Sequence, residues 1–169
     1  MKKYVLIFTL LIYSSLTQAK DPLAGKVFTI CDKGDEITSQ YWIGFLKGGE
    51  KFTAQLFFES EKKECEGKEF FAIGRTWNYE TKGNDIVSTL VVSKVILFSR
   101  EEIRVFNANK FCGIQNWKLN QPVDCTGHEI YGLEERTGYT TMHQFKIDNT
   151  GIELKDDEGE VQKLINSKE

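Results

Sequence analysis

Proline occurs only twice in this chain, at Pro22 and Pro122, and histidine only twice, at His128 and His143. No stretch carries a sustained helical face, so strands are the expected element. The scarcity of histidine narrows the chemistry. There is no G-x-S-x-G turn, no C-x-x-C pair and no H-x-x-x-H pair. A nucleophile with its base, a redox dithiol and a zinc site each lack their usual local signature. An excess of positive charge is also missing, since the formal net charge is −3. Such a chain is not built to coat nucleic acid or an anionic lipid surface.

Long apolar runs are confined to one place. The chain opens "MKKYVLIFTLLIYSSLTQAK", with Lys2 and Lys3 ahead of an apolar run from Val5 to Tyr13. That run is too short to cross a bilayer as a helix, and Thr17-Gln18-Ala19 ends in a small residue. Residues 1–19 therefore read as a cleaved secretory signal peptide, and residues 20–169 as a single domain. Removing Lys2 and Lys3 takes the formal charge from −3 to −5. No later run is apolar enough to predict an integral membrane span. The expected location is periplasmic or extracellular.

All four cysteines lie after the leader. An even count in an exported chain favours disulfides, and four cysteines allow three pairings. The pairing expected is Cys31–Cys65, tying the first strand to a later turn, and Cys112–Cys125, closing a short loop.

What the chain has in abundance is alternation with period two. In "KFTAQLFFE", residues 51–59, Phe52, Ala54, Leu56 and Phe58 share one face, while Lys51, Thr53, Gln55 and Glu59 share the other. This predicts a half-buried antiparallel strand with Phe57 as the exception. "TSQYWIGFL" precedes it across a Gly48-Gly49 turn. "EFFAIGRTWNYE" follows, with Phe71, Ile73, Arg75, Trp77 and Tyr79 on one face and small residues on the other. Residues 86–99 are apolar on both faces and read as one strand or two short pieces. "SREE" and "IRVFN" read as a hairpin. Residues 107–142 lack periodicity and imply an excursion with short strands. "MHQFKID" and "IELKD" form a hairpin, and "VQKLI" a last strand. About eight strands at short spacing predict an all-β, single up-and-down antiparallel barrel, with a β-sandwich as the alternative.

Short motifs add a resemblance. Cys31 in "PLAGKVFTIC", then "YWIGF", Gly48-Gly49, "FTAQLFF", Cys65, and Cys112-Gly113 with Trp117 and Gly127 follow one another in order. This order resembles small exported bacterial lipocalin-like domains, including the APCDD1-related type, over residues 23–155. Val27 stands where many lipocalin-like proteins have tryptophan. The resemblance implies an eight-stranded barrel-like fold and does not name a ligand.

Candidate sites follow from these readings. Cys112, Cys125, His128 and His143 offer metal donors, but their spacing and the export signal favour a disulfide, so no metal and no cofactor is expected. His128 lies in a turn, and His143 on a strand as a surface or core-edge residue. Glu134-Glu135 reads as a solvated loop, and Asp156-Asp157 with Glu158 and Glu160 as a charged hairpin tip. No catalytic residue is assigned. The expected function is lipocalin-like binding of a small apolar ligand inside the barrel, through Tyr41, Trp42, Phe45, Phe58, Phe71, Trp77 and Trp117. One alternative is an envelope protein-interaction module with a filled barrel, acting through residues 107–142, its partner unknown. A hydrolase using His128 or His143 is another. The chain is expected to be a monomer.

Overall fold

The computed structural model describes residues 21–33, 37–59, 65, 67–130 and 133–167. The signal peptide expected at residues 1–19 lies outside them. The strands are β1 (Lys26–Lys33), β2 (Ile37–Phe45), β3 (Glu50–Glu59), β4 (Glu69–Lys82) and β5 (Asp85–Leu97). A helix, α1 (Arg100–Ala108), and a single 3-10 turn follow. The short β6 (Val123–Asp124), β7 (Glu129–Ile130) and β8 (Leu133–Glu134) lead to β9 (Thr140–Ile147), β10 (Gly151–Lys155) and β11 (Val161–Asn166).

Eight strands close into an antiparallel barrel: β1 to β5, then β9, β10 and β11, which returns to β1. Each barrel strand pairs with its neighbours in barrel order, and β4–β5 pairing completes the ring. Closure decides for the barrel over the sandwich and leaves no free edge around the ring. Glycine permits tight packing of the wall at Gly44, where a Cβ would stand only 2.0 Å from the Phe52 ring on the next strand. Residues 86–97 form one strand rather than two pieces. The register shift opposite Thr76 and Trp77 leaves Val91 as an extra residue on β5. Ile86, Ser88 and Leu90 before this bulge, and Ser93, Val95 and Leu97 after it, are all buried. The bulge explains why the sequence is apolar on both phases of the alternation.

Two apolar cores form. The first closes one end of the barrel. Phe28, Ile43, Phe45, Ile86, Phe145, Ile152, Leu154 and Leu164 converge there, with Leu23 inserted from the segment before β1. Tyr79 joins them, and its hydroxyl donates to Asp21. The second lies where β4 and β5 run on beneath the excursion of residues 98–139. It gathers Phe71, Ile73, Val95, Leu97, Phe106, Trp117 and the Cys112–Cys125 bridge.

That excursion corrects two expectations. "SREE" with "IRVFN" is not a hairpin but α1. The Ser99 side chain accepts from the Glu101 N–H, and Glu101 and Glu102 occupy the first turn, so cap and dipole favour a helix start. Phe106 then buries one face against Trp117, ring centroids 5.2 Å apart. Glu135, expected on a solvated loop, is 2% exposed. Both disulfides pair as expected: Cys31–Cys65 with Cα atoms 5.7 Å apart and Cys112–Cys125 at 5.3 Å. Among the described residues no helix is long and apolar enough to cross a membrane.

Candidate functional site

Between the two cores the barrel interior is not filled. A cavity of about 730 Å³ opens there, lined from β1, β2, β3, β4, β9, β11 and the end of the excursion. Its character comes from β3, whose facing reverses the expectation from hydropathy. Lys51 and Thr53 are each 4% exposed and line the cavity together with Gln55, whereas Phe52 and Ala54 line a shallow groove on the other side of the wall. Period two was correct, but the polar phase points inward. A polar inward phase is stable only where it lines a wet cavity or finds partners.

Partners are present for most of these groups. Thr53 Oγ1 accepts from Trp77 Nε1 at 3.1 Å, and Gln55 Nε2 donates to Ser39 Oγ at 3.0 Å. Arg75 Nε donates to both carboxylate oxygens of Glu135 at 2.8 Å, clamping the end of the excursion to the barrel wall. Glu135 is held from its backbone as well, through exchange with Gly127 and His128. Burial pushes the Tyr41 phenol up to about 12, opposed by the nearby Arg75 charge and a hydrogen bond to Thr53.

Lys51 is different. Its Nζ donates to Ser88 Oγ at 2.7 Å and lies 4.6 Å from the centre of the Trp77 ring. Among the described residues no carboxylate pairs with it. Burial lowers its pKa to about 7. Thr141 also lines the cavity, and its buried Oγ1 has no hydrogen-bond partner. Thr141 is the ladder partner of Ser88, so the unpartnered hydroxyl and the lysine share one patch of wall. His143 lines the same side. Burial, and next the charge of Lys51, hold its imidazole below the ordinary value. The mouth is marked by the exposed residues Asp32, Tyr139, Val161, Gln162 and Lys163.

Of the residues expected to bind a ligand, Tyr41 and Trp77 line the cavity. Phe45 lies in the core that closes the barrel end, and Phe71 in the second core, stacked on Phe57 with centroids 4.2 Å apart. Phe58 is buried but outside the cavity lining, and Trp42 is half-buried and outside it too. Trp117 fills the second core, with Nε1 donating to the Phe111 carbonyl at 3.3 Å. It is a core residue beneath the disulfide loop, outside the cavity lining. Lys51, Thr53, Arg75, Glu135 and Thr141 were not anticipated. The available signal was Lys51, Thr53 and Gln55 on one phase of β3 in register with Arg75 and Trp77 on β4.

His128 is exposed in a turn, and His143 makes no side-chain hydrogen bond among the described residues. No cluster of three or more metal-ligating side chains occurs among the described residues. No family model matches the chain, and no curated protein matches it in sequence.

Proposed function

We propose that this is an exported, lipocalin-like binding protein without catalytic activity, which holds one small molecule inside its barrel. The observation that carries the reading is the cavity of about 730 Å³ between two packed cores. That volume falls in the ordinary range for small-molecule sites, about 300–1,000 Å³. Its wall supports an amphipathic ligand more than a purely apolar one. Ile30, Tyr41 and Trp77 offer apolar and aromatic surface, while Lys51, Gln55 and Thr141 offer polar contacts. A purely apolar ligand would leave the Thr141 hydroxyl and the remaining donors of Lys51 without compensation. The signal peptide read from residues 1–19 and the two disulfides support export.

Fluorescence titration tests this directly. Trp77 lines the cavity, so a bound ligand should change tryptophan emission saturably. Trp77→Phe should remove most of that change, and Trp117→Phe should leave it. If Trp77 emission ignores a panel of aromatic and aliphatic amphiphiles, and calorimetry shows no heat, the reading fails.

A further inference from the structure

The deep wall of the cavity has one basic group that no carboxylate among the described residues balances. Arg75 and Glu135 neutralise each other as a forked pair. Asp32 is exposed at the mouth, as is Lys163. Lys51 alone is left, 4% exposed and without a carboxylate among the described residues. An ammonium group has three donors. Ser88 Oγ takes one at 2.7 Å and the Trp77 face attracts the group from 4.6 Å. The remaining donor capacity has no protein acceptor among the described residues. Thr141 Oγ1, on the strand paired to Ser88, is a second buried polar atom without a partner. A solvated surface lysine would need no such explanation. One held within a cavity wall, beside an orphan hydroxyl, marks where a complementary group belongs.

We infer that the ligand is a small organic anion, a carboxylate on an apolar or aromatic body, with Lys51 as its counter-ion and Thr141 as a further hydrogen-bond donor. This rests on the cavity being a ligand site. A single negative charge is the match, because one uncompensated cation faces the space. A cationic ligand would place like charges together, and a neutral one would leave Lys51 as it is. The aromatic faces of Tyr41 and Trp77 then take the body of the ligand.

A pH signature follows. Lys51 in the empty cavity loses its proton near about pH 7, and a bound carboxylate favours the charged form. Binding above that pH must therefore take up a proton, and affinity should fall by up to about tenfold per pH unit. The other ionisable groups facing Lys51 do not mimic this. Tyr41 titrates at about 12, and His143 lies below its ordinary value. Asp32, Glu135 and Lys163 complete the charged lining, and Tyr139 adds a phenol.

Calorimetry on the mature protein with matched pairs tests the assignment: 2-naphthoate against 2-naphthamide, and decanoate against decanamide. The expected result is a preference for each carboxylate of about tenfold or more, fading above about pH 7. Lys51→Met should abolish the preference while amide affinity changes by less than about threefold. If Lys51→Met fails to fold, the comparison of acid with amide in the unmodified protein still decides. Equal binding of acid and amide would overturn the anion assignment and leave the cavity as a ligand site. Absence of binding by every member of both pairs, with no response to the wider amphiphile panel, would overturn the ligand site itself.

Discussion

The two halves of the barrel interior are built from the same strands and end differently. Along β2 the inward residues are Phe45 and Ile43 at the closed end, then Tyr41 and Ser39 at the open one. Along β4 Tyr79 belongs to the closed end, while Trp77 and Arg75 line the cavity. Strand number therefore does not determine whether an eight-stranded barrel is solid. Side-chain size and polarity along each inward phase do. Where aromatics from β2 and β4 meet across β3 they close the space, as Phe45 and Tyr79 do with centroids 5.1 Å apart. Where Thr53, Gln55 and Ser39 stand, the side chains are too short to meet across it. They bond along the wall instead.

The sharpest way to break this comparison is to truncate one residue on each side. Phe45→Ala in the closed half should cost about 3–5 kcal/mol, since it leaves a void in packed surroundings. Gln55→Ala in the open half should cost less than about 1 kcal/mol, because its hydrogen bond to Ser39 is replaceable by water. Urea denaturation of both variants checks this. Similar losses would mean that the two halves are equally packed.

The clamp between cavity and excursion comes next. Arg75→Met strands the buried Glu135 carboxylate and should destabilise by about 3–4 kcal/mol. Hydrogen exchange should accelerate first across residues 127–139, because Glu135 anchors that segment. Replacing Cys112 and Cys125 by alanine should cost about 3 kcal/mol through the freed loop. Here the change should be felt in the second core around Trp117 and not in the cavity.

A slope in pH also separates the halves. Lys51 has its folded pKa near about 7 against an ordinary 10.5, so the unfolded chain binds the extra proton between those values. Stability should rise with pH across that window, by at most about 1.4 kcal/mol per pH unit. The sign reverses above 10, where the unfolded tyrosine ionises before Tyr41, which waits until about 12. Lys51→Met should flatten the rise below pH 10 and be more stable than the parent near neutrality. Chemical denaturation at several pH values reads the slope.

Much of this architecture was readable in the residues. Alternation, the Gly48-Gly49 turn and the even cysteine count led to the barrel and to both disulfides. What alternation cannot reveal is which phase faces inward. Period two in β3 is symmetric between Lys51-Thr53-Gln55 and Phe52-Ala54-Leu56, and the usual rule picks the apolar set. The cavity reverses that choice, and Phe52 instead covers Gly44 on the other side of the wall. The helix at 100–108 was signalled by Ser99 with Glu101 and Glu102, but its apolar face is little more than Ile103 and Phe106. So short a face has no sustained period. Glu135 was unreadable because its partner, Arg75, lies sixty positions away. Trp117 was expected among the ligand-binding residues, and only the contacts with Phe106 and Phe111 place it in a core.

The central claim is that the polar half of the interior is a ligand site and the apolar half is not. Backbone amide shifts in two-dimensional NMR, followed while 2-naphthoate is added, test it most directly. The account predicts saturable shifts at Tyr41, Lys51, Thr53, Trp77, Thr141 and His143, with Phe28, Ile152 and Leu164 unmoved. Shifts confined to the outer groove around Ala54, Ala72 and Gly74, or none at all, would contradict it.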